Sequence, residues 1–480
     1  MLTTTEQFTH PRDGDTQSRR VISAWSWFML VAAIAFWSSV GRPLRDPDIW
    51  WHVRTGDLIL DQGLPREEPW AFTALGNTWV PTAWLSDVVL AVAHAAFGWW
   101  AIIGLKLAMS ALLLWALGRE LLRCGPARIA ALVYPLSLVV LAPFLAERPQ
   151  LVSLVFTVWL TRSMRLLLME HRLHWSFLPL VYLWANLHGM WVLAPLALGV
   201  ASIGLALDRT PGWARTARRS AGAAALSVLL AGLTPVGPRL AYWSIVVRDA
   251  AQDISEWQPT RYTSYYGMAL LALFGVWVIA VARSRVPTPR SEVLWMVSAL
   301  FFSTQAGRNL APSAILMAPF AVLAAARAWE HSLARFPEPR FPRAASHLAI
   351  AAALVFAMAF AATRGPLSPG LPDRIVSELK SRPGPVRVLN SYNVGGYLTG
   401  MGAPKISVAI DGRTDNYDAS FVHRYLAATS GGLFTAQKLI DELNPDVAVL
   451  GHRSALAREL QAAGWKRTLR DGDFVLLDRP

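Results

Sequence analysis

Apolar runs of bilayer-spanning length recur along this chain, and no other feature limits its fold as strongly. They lie at roughly 21–40, 99–119, 127–145, 149–169, 175–188, 190–207, 220–235, 264–282, 291–307, 309–326 and 344–363. A hydrocarbon core of about 30 Å is crossed by about 20 apolar residues at ~1.5 Å rise per residue. The runs therefore predict a polytopic α-helical membrane protein with about 11 transmembrane helices. Two pairs adjoin with little loop, notably at Asn186-Leu187-His188-Gly189, and can equally be single bent helices. Composition agrees: 54% of residues are hydrophobic and 16% charged, against about a quarter charged in a soluble chain.

Segment 84–97 decides the expected topology. It is apolar, but fourteen residues reach only about 21 Å, and it holds Asp87 and His94. It reads as a helix lying along the membrane surface. Arg119/Arg123/Arg128, Arg162/Arg165/Arg172, Arg209/Arg215/Arg218/Arg219, Arg283/Arg285/Arg290 and Arg327/Arg335/Arg340/Arg343 then all share the side of the polar tail 1–20. That is the positive-inside pattern. It places the N-terminus in the cytoplasm and the protein in the plasma (inner) membrane. The same clustering explains the net charge of +13 without nucleic acid, since no continuous basic face exists. Run 21–40 is too long for a signal-peptide core and reads as a retained first helix. Cys124 is the single cysteine, so no internal disulfide can form.

This topology leaves three regions outside: a first loop 41–98, a second near 236–263, and the C-terminal region. The bilayer domain spans 21–364. The first loop carries Asp46, Asp48, Asp57, Asp61, Glu67, Glu68 and Asp87 against four arginines. From Gly365 hydropathy falls and Pro/Gly punctuation appears. Residues 365–480 are expected to form a small extracytoplasmic α/β domain with its own core. Its strands are expected at Val386–Leu389, Ile406–Ile410, Val447–Leu450 and Phe474–Leu477. Its helices are expected at Asp373–Lys380, Ala419–Ala428, Thr435–Leu443 and Ser454–Ala463. Gly395-Gly396 and Asp411-Gly412-Arg413 match no phosphate-binding fingerprint and read as turns.

The sharpest chemical signal is Arg45-Asp46-Pro47-Asp48-Ile49-Trp50-Trp51-His52, directly after the first span. A carboxylate at the lipid–water boundary can serve as general base or as a cation ligand. A helix cap at Asp46-Pro47 accounts for one aspartate, not two. Arg54, Arg148 and Arg308 are expected at outer helix ends, where a guanidinium can bind a lipid-linked phosphate or merely snorkel. Glu147 is a candidate second acidic ligand or substrate contact, or a surface partner of Arg148. His52 follows on the next turn, and His188 sits where two short helices meet, as substrate contact or as a hydrogen-bonded break. Lys106 is expected to snorkel or pair inside the bundle. Glu256 reads as solvated.

These residues resemble the GT-C superfamily of membrane glycosyltransferases, which take sugars from polyprenyl-phosphate carriers. The stretch Asp48 to Arg54, with Gly63 closing the helix, is similar to the first-loop motif of oligosaccharyltransferase catalytic subunits. The chain looks closer still to a bacterial group of GT-C-like proteins. That group shares the opening Asp46 to Gly56, the turn Asn186 to Gly189, and tail motifs at Asn390 to Leu398 and Asp411 to Arg413. The resemblance implies that the family's catalytic aspartate falls on Asp48, or on Asp46, and a second acidic position near Glu147. Within the bilayer domain 21–364, the second Asp-x-Asp or Glu-x-Asp pair of metal-using members is absent. No cofactor is therefore certain; a Mg or Mn ion, if bound, would use Asp48 and Glu147, and the expectation tilts to a metal-free general base.

The expected function is an inverting transfer of a mannose-like hexose or a pentose. The sugar moves from a polyprenyl-phosphate donor in the bilayer to an extracytoplasmic glycan, lipid or protein acceptor. Asp48, and Asp46 beside it, are the catalytic candidates; His52, Arg54, Glu147, Arg148, His188 and Arg308 are the substrate-binding candidates. A flippase for a polyprenyl-linked glycan is the first rival, but no internal repeat is evident. A non-enzymatic scaffold is the second, and it needs no polar clusters at helix ends.

Overall fold

The computed structural model describes residues 21–40, 42–243, 256–333, 340–430 and 433–480. The expected cytoplasmic tail and most of the expected second loop lie outside them. Each apolar run falls on a helix: Ala24–Val40, Trp99–Cys124, Ala127–Leu141, Gln150–Glu170, Phe177–Leu187, Leu193–Asp208, Trp213–Gly232, Tyr265–Arg283, Arg290–Gln305, Leu310–Leu333 and Arg343–Arg364. Among the described residues, 6 segments are long and apolar enough to cross a membrane. The protein is thus a multi-pass membrane protein. Phe177–Leu187 has 11 residues and reaches only about 16 Å, short of the hydrocarbon core, and it stops at His188.

Leu310–Leu333 is the centre of the bundle. Ala311, Ala314, Ala318, Ala321 and Ala325 on it are buried, and small side chains let helix backbones approach. Gly125 lies against Val322 and Ala326 of this helix, with room for a Cβ only at 3.0 and 3.1 Å. The first helix begins later than its apolar run suggests. Val21–Ser23 instead forms a short antiparallel ribbon with Arg340–Pro342, both strands leading directly into helices.

The first loop folds into two helices, Asp48–Gln62 and Trp84–Phe97. They pack closely because Gly56 has no side chain: a Cβ there would strike the Asp87 carbonyl and come within 2.6 Å of the Ala91 methyl.

The C-terminal region carries a five-stranded sheet in the order Ile406–Val408, Val386–Asn390, Val447–Gly451, Phe474–Asp478, Lys466–Asp471. The first three strands run parallel and Phe474–Asp478 antiparallel to its neighbours. Four strands and four helices match the expected elements. Two were missed: the edge strand Lys466–Asp471, whose residues are mostly exposed, and the helix Tyr392–Gly402. Gly395 and Gly396 are therefore helical and not turn glycines. The expected separate core is also corrected. Val388, Leu389, Tyr397, Leu398, Val449 and Leu476 of the tail share one buried apolar cluster with Leu44, Ile49, Trp50, Val53, Ile102 and Ile103.

Candidate active site

The site begins with the start of one helix. Pro47 precedes the first residue of Asp48–Gln62, where a missing N–H costs nothing. Asp46 Oδ1 accepts the Asp48 N–H at 3.1 Å, so Asp46 supplies the cap. Asp48 is not needed for that purpose, and its side chain keeps 14% exposure. The two aspartates meet on Arg148, from the turn between Ala127–Leu141 and Gln150–Glu170. Arg148 Nε donates to Asp46 Oδ2, Nη2 lies 3.1 Å from Asp48 Oδ2, and Nη1 donates at 3.0 Å to both oxygens of Glu256.

Burial pushes the Asp46 carboxyl up to about 6; Arg148 pulls it down and the Asp48 charge pushes it further up. Burial acts against the Arg148 charge, but Asp48, Asp46 and Glu256 override it and hold the group above its ordinary value.

The other candidates divide. Glu147 does not join the aspartates as a ligand. Its Oε2 accepts from Lys106 Nζ at 2.8 Å in a buried pair, and its Oε1 accepts the N–H groups of Arg45 at 2.5 Å and Asp46 at 3.0 Å. It positions the acidic motif from behind, and it is not a surface partner of Arg148. No Asp48–Glu147 metal pair is assembled, and among the described residues no group of three or more His, Cys, Asp or Glu side chains is placed to hold an ion. Among the described residues, the acidic side chains at Asp48 converge on Arg148 and do not fit a divalent cation.

His52 is buried, with Nδ1 2.6 Å from Asp87 Oδ1; it ties the two first-loop helices together. Arg54 Nη2 donates to the Ala403 carbonyl at 3.1 Å. His188 Nδ1 lies 2.8 Å from Ser153 Oγ and accepts the Met190 N–H at 3.3 Å, which is the hydrogen-bonded break of the alternative reading. Arg308 lies at the same end of the bundle: its guanidinium stacks 4.4 Å above the Trp257 ring, and its N–H donates to the Glu256 carbonyl at 3.0 Å. Among the described residues it forms no close ion pair, although the Glu256 and Asp415 charges act on it.

Sequence reasoning undervalued Glu256 and missed the tail's share of the site. Gly412 lies so close to Asp48 that a Cβ would overlap Oδ1. Arg413 beside it is buried. It is paired with Asp411 at 2.5 Å and Glu68 at 2.6 Å and faces the Trp70 and Trp79 rings at 4.8 and 5.0 Å. Glu68 in turn accepts the N–H groups of Trp70 and Ala71 at 2.8 and 2.9 Å. Tyr392 stands near enough to feel Asp48: burial first, then the Asp48 charge, hold its hydroxyl well above the usual phenol range. Asp415 accepts from Trp243 Nε1 at 2.9 Å. The only sequence trace of these contacts is the recurrence of charge and glycine in Asp411-Gly412-Arg413.

No family profile matches the chain, and no curated protein does. Solved structures do. The oligosaccharyltransferase AglB from Archaeoglobus fulgidus, in complex with an inhibitory peptide and a dolichol-phosphate, aligns with a TM-score of 0.55 at 11% identity, covering 89% of this chain and 69% of that one. An Archaeoglobus fulgidus oligosaccharyltransferase in complex with Zn and sulfate aligns at 0.52 and 12% identity, covering 88% and 68%. The fold of this chain is the one these two oligosaccharyltransferase structures share.

Proposed function

From that fold we propose that the chain is a membrane glycosyltransferase. It moves a sugar, a mannose-like hexose or a pentose, from a polyprenyl-phosphate donor to a glycan, lipid or protein acceptor. The N-terminus would lie in the cytoplasm, and the Asp46 end of the bundle and the tail outside the plasma (inner) membrane. One observation carries the reading. Asp46 meets the capping need of its helix alone, which leaves Asp48 as a partly exposed carboxylate at the loop end of a GT-C bundle.

The chemistry is a single displacement with inversion. Asp48 accepts the proton of an acceptor hydroxyl as its oxygen bonds the anomeric carbon. The bond from that carbon to the donor phosphate breaks, and its electron pair leaves with the polyprenyl phosphate. Arg308, stacked on Trp257, supplies positive charge for that leaving phosphate. Its aromatic stack keeps the guanidinium aimed, at a contribution of about 0.5–2 kcal/mol.

General-base assistance contributes about 10²–10⁴-fold in rate. Asp48→Asn is therefore expected to lower transfer of label from polyprenyl-phosphate sugars in membranes by that factor, with the protein still folded and inserted. Undiminished transfer by the variant would remove Asp48 from this role.

A further inference from the structure

One guanidinium stands where three chain segments meet, and carboxylates occupy all of its donor edges. Arg148 Nε and Nη2 form one planar fork. Asp46 and Asp48 lie side by side on it, Asp46 on Nε and Asp48 on Nη2 at 3.1 Å. Glu256 closes the opposite edge, with both oxygens 3.0 Å from Nη1. Acidic side chains gathered on one centre are what a hard divalent ion receives from oxygen ligands. Here the centre is filled by a cation tethered to the backbone. The next acidic side chain, Glu147, is held away by Lys106 and two backbone N–H groups. It is not available to complete an ion's shell.

We infer that Arg148 is the built-in cation of this site. It gathers the carboxylates of Asp46, Asp48 and Glu256 as a divalent ion would, and it fixes the orientation of the Asp48 carboxylate through Oδ2. Arg148 is thus a positioning residue. Three carboxylates without a cation repel one another, so the guanidinium is also what lets all three stand where the first loop, the 147–149 turn and Glu256 meet. The consequence for catalysis rests on the transferase reading above; the charge arrangement does not.

Taking the guanidinium away should leave a place that a free ion can enter. Purified full-length protein in detergent, titrated with Mn²⁺ and followed by the loss of the free-ion paramagnetic resonance signal, reads this directly. Wild type and Arg148→Lys, which keeps a tethered cation, should leave the signal as in protein-free detergent. Arg148→Ala should take up Mn²⁺, and adding Asp48→Asn should abolish that uptake. A melting curve on each variant establishes that it is folded, and Arg148→Asn replaces the alanine variant if that one is not. Asp48-dependent Mn²⁺ uptake by the wild type overturns the inference. So does a folded Arg148→Ala or Arg148→Asn protein that gains no uptake. No arm reads turnover, so failure of the transferase reading does not enter the result.

Discussion

Asp46 and Asp48 are two positions apart, yet their surroundings give them different work. Asp46 turns one oxygen to the Asp48 N–H and the other to Arg148, while Asp48 caps nothing and keeps 14% exposure. The fold also separates them by titration. Asp46 rises to about 6 from 3.8, first through burial, so it takes up a proton as pH falls through about 6 and loosens its hold on Arg148. Turnover should drop on that acid limb, and Asp46→Asn should be slow at every pH with no limb near 6. The sign for stability is opposite. The folded carboxyl binds its proton more tightly than the unfolded one, so between about 6 and 3.8 this group favours the folded state as pH falls. A melting temperature that falls together with activity over this window would assign the limb to unfolding instead. The acidic motif was legible in the sequence because its members are neighbours in the chain. The work of Glu147 was not, because its partner Lys106 is 41 positions away and a buried pair leaves no local pattern. The same holds for His52 and Asp87, 35 positions apart.

At the scale of elements, the bilayer made the helices readable: an apolar run of fixed length has one available form in lipid. Tyr392–Gly402 was hidden for the converse reason. Gly395, Gly396, Gly400 and Gly402 fall within its 11 residues, and each glycine weakens a helix by about 1 kcal/mol against alanine. Close packing overrides that propensity. A Cβ on Gly396 would meet the Pro47 carbonyl, and one on Gly400 would sit 2.5 Å from the Trp50 Cβ, on either side of Asp48. Gly400→Ala should therefore lower the melting temperature through overpacking of about 1–3 kcal/mol. Gly104→Ala, in a helix with nothing within 4 Å of the new methyl, should be neutral or slightly stabilising. Gly412→Ala places its methyl on the Asp48 carboxylate. It should reduce turnover more than it reduces stability, and equal loss of both would deny the loop its place over Asp48.

Across the whole molecule, the break near Gly365 was legible as a change in composition, and the tail's α/β character followed from alternating patterns. What the chain order concealed is that the tail does not stand apart. Leu44 N–H donates to the Pro366 carbonyl at 2.9 Å and Ser368 N–H to the Leu44 carbonyl at 3.1 Å, and Arg413 joins Glu68 in the first loop. Contacts between residues more than 300 positions apart carry no signal in composition or periodicity; only the folded chain reveals them. They put Asp48 and the first loop under a roof made by the last quarter of the protein. The most direct test of this account is chemical. Purified protein in liposomes is given a panel of polyprenyl-phosphate sugars and a crude envelope acceptor, and the lipids are weighed by mass spectrometry. The account predicts free polyprenyl phosphate with at least one donor, formed by the wild type and strongly reduced in Asp48→Asn. Donor carried intact to the other leaflet, with its sugar still attached, would contradict it.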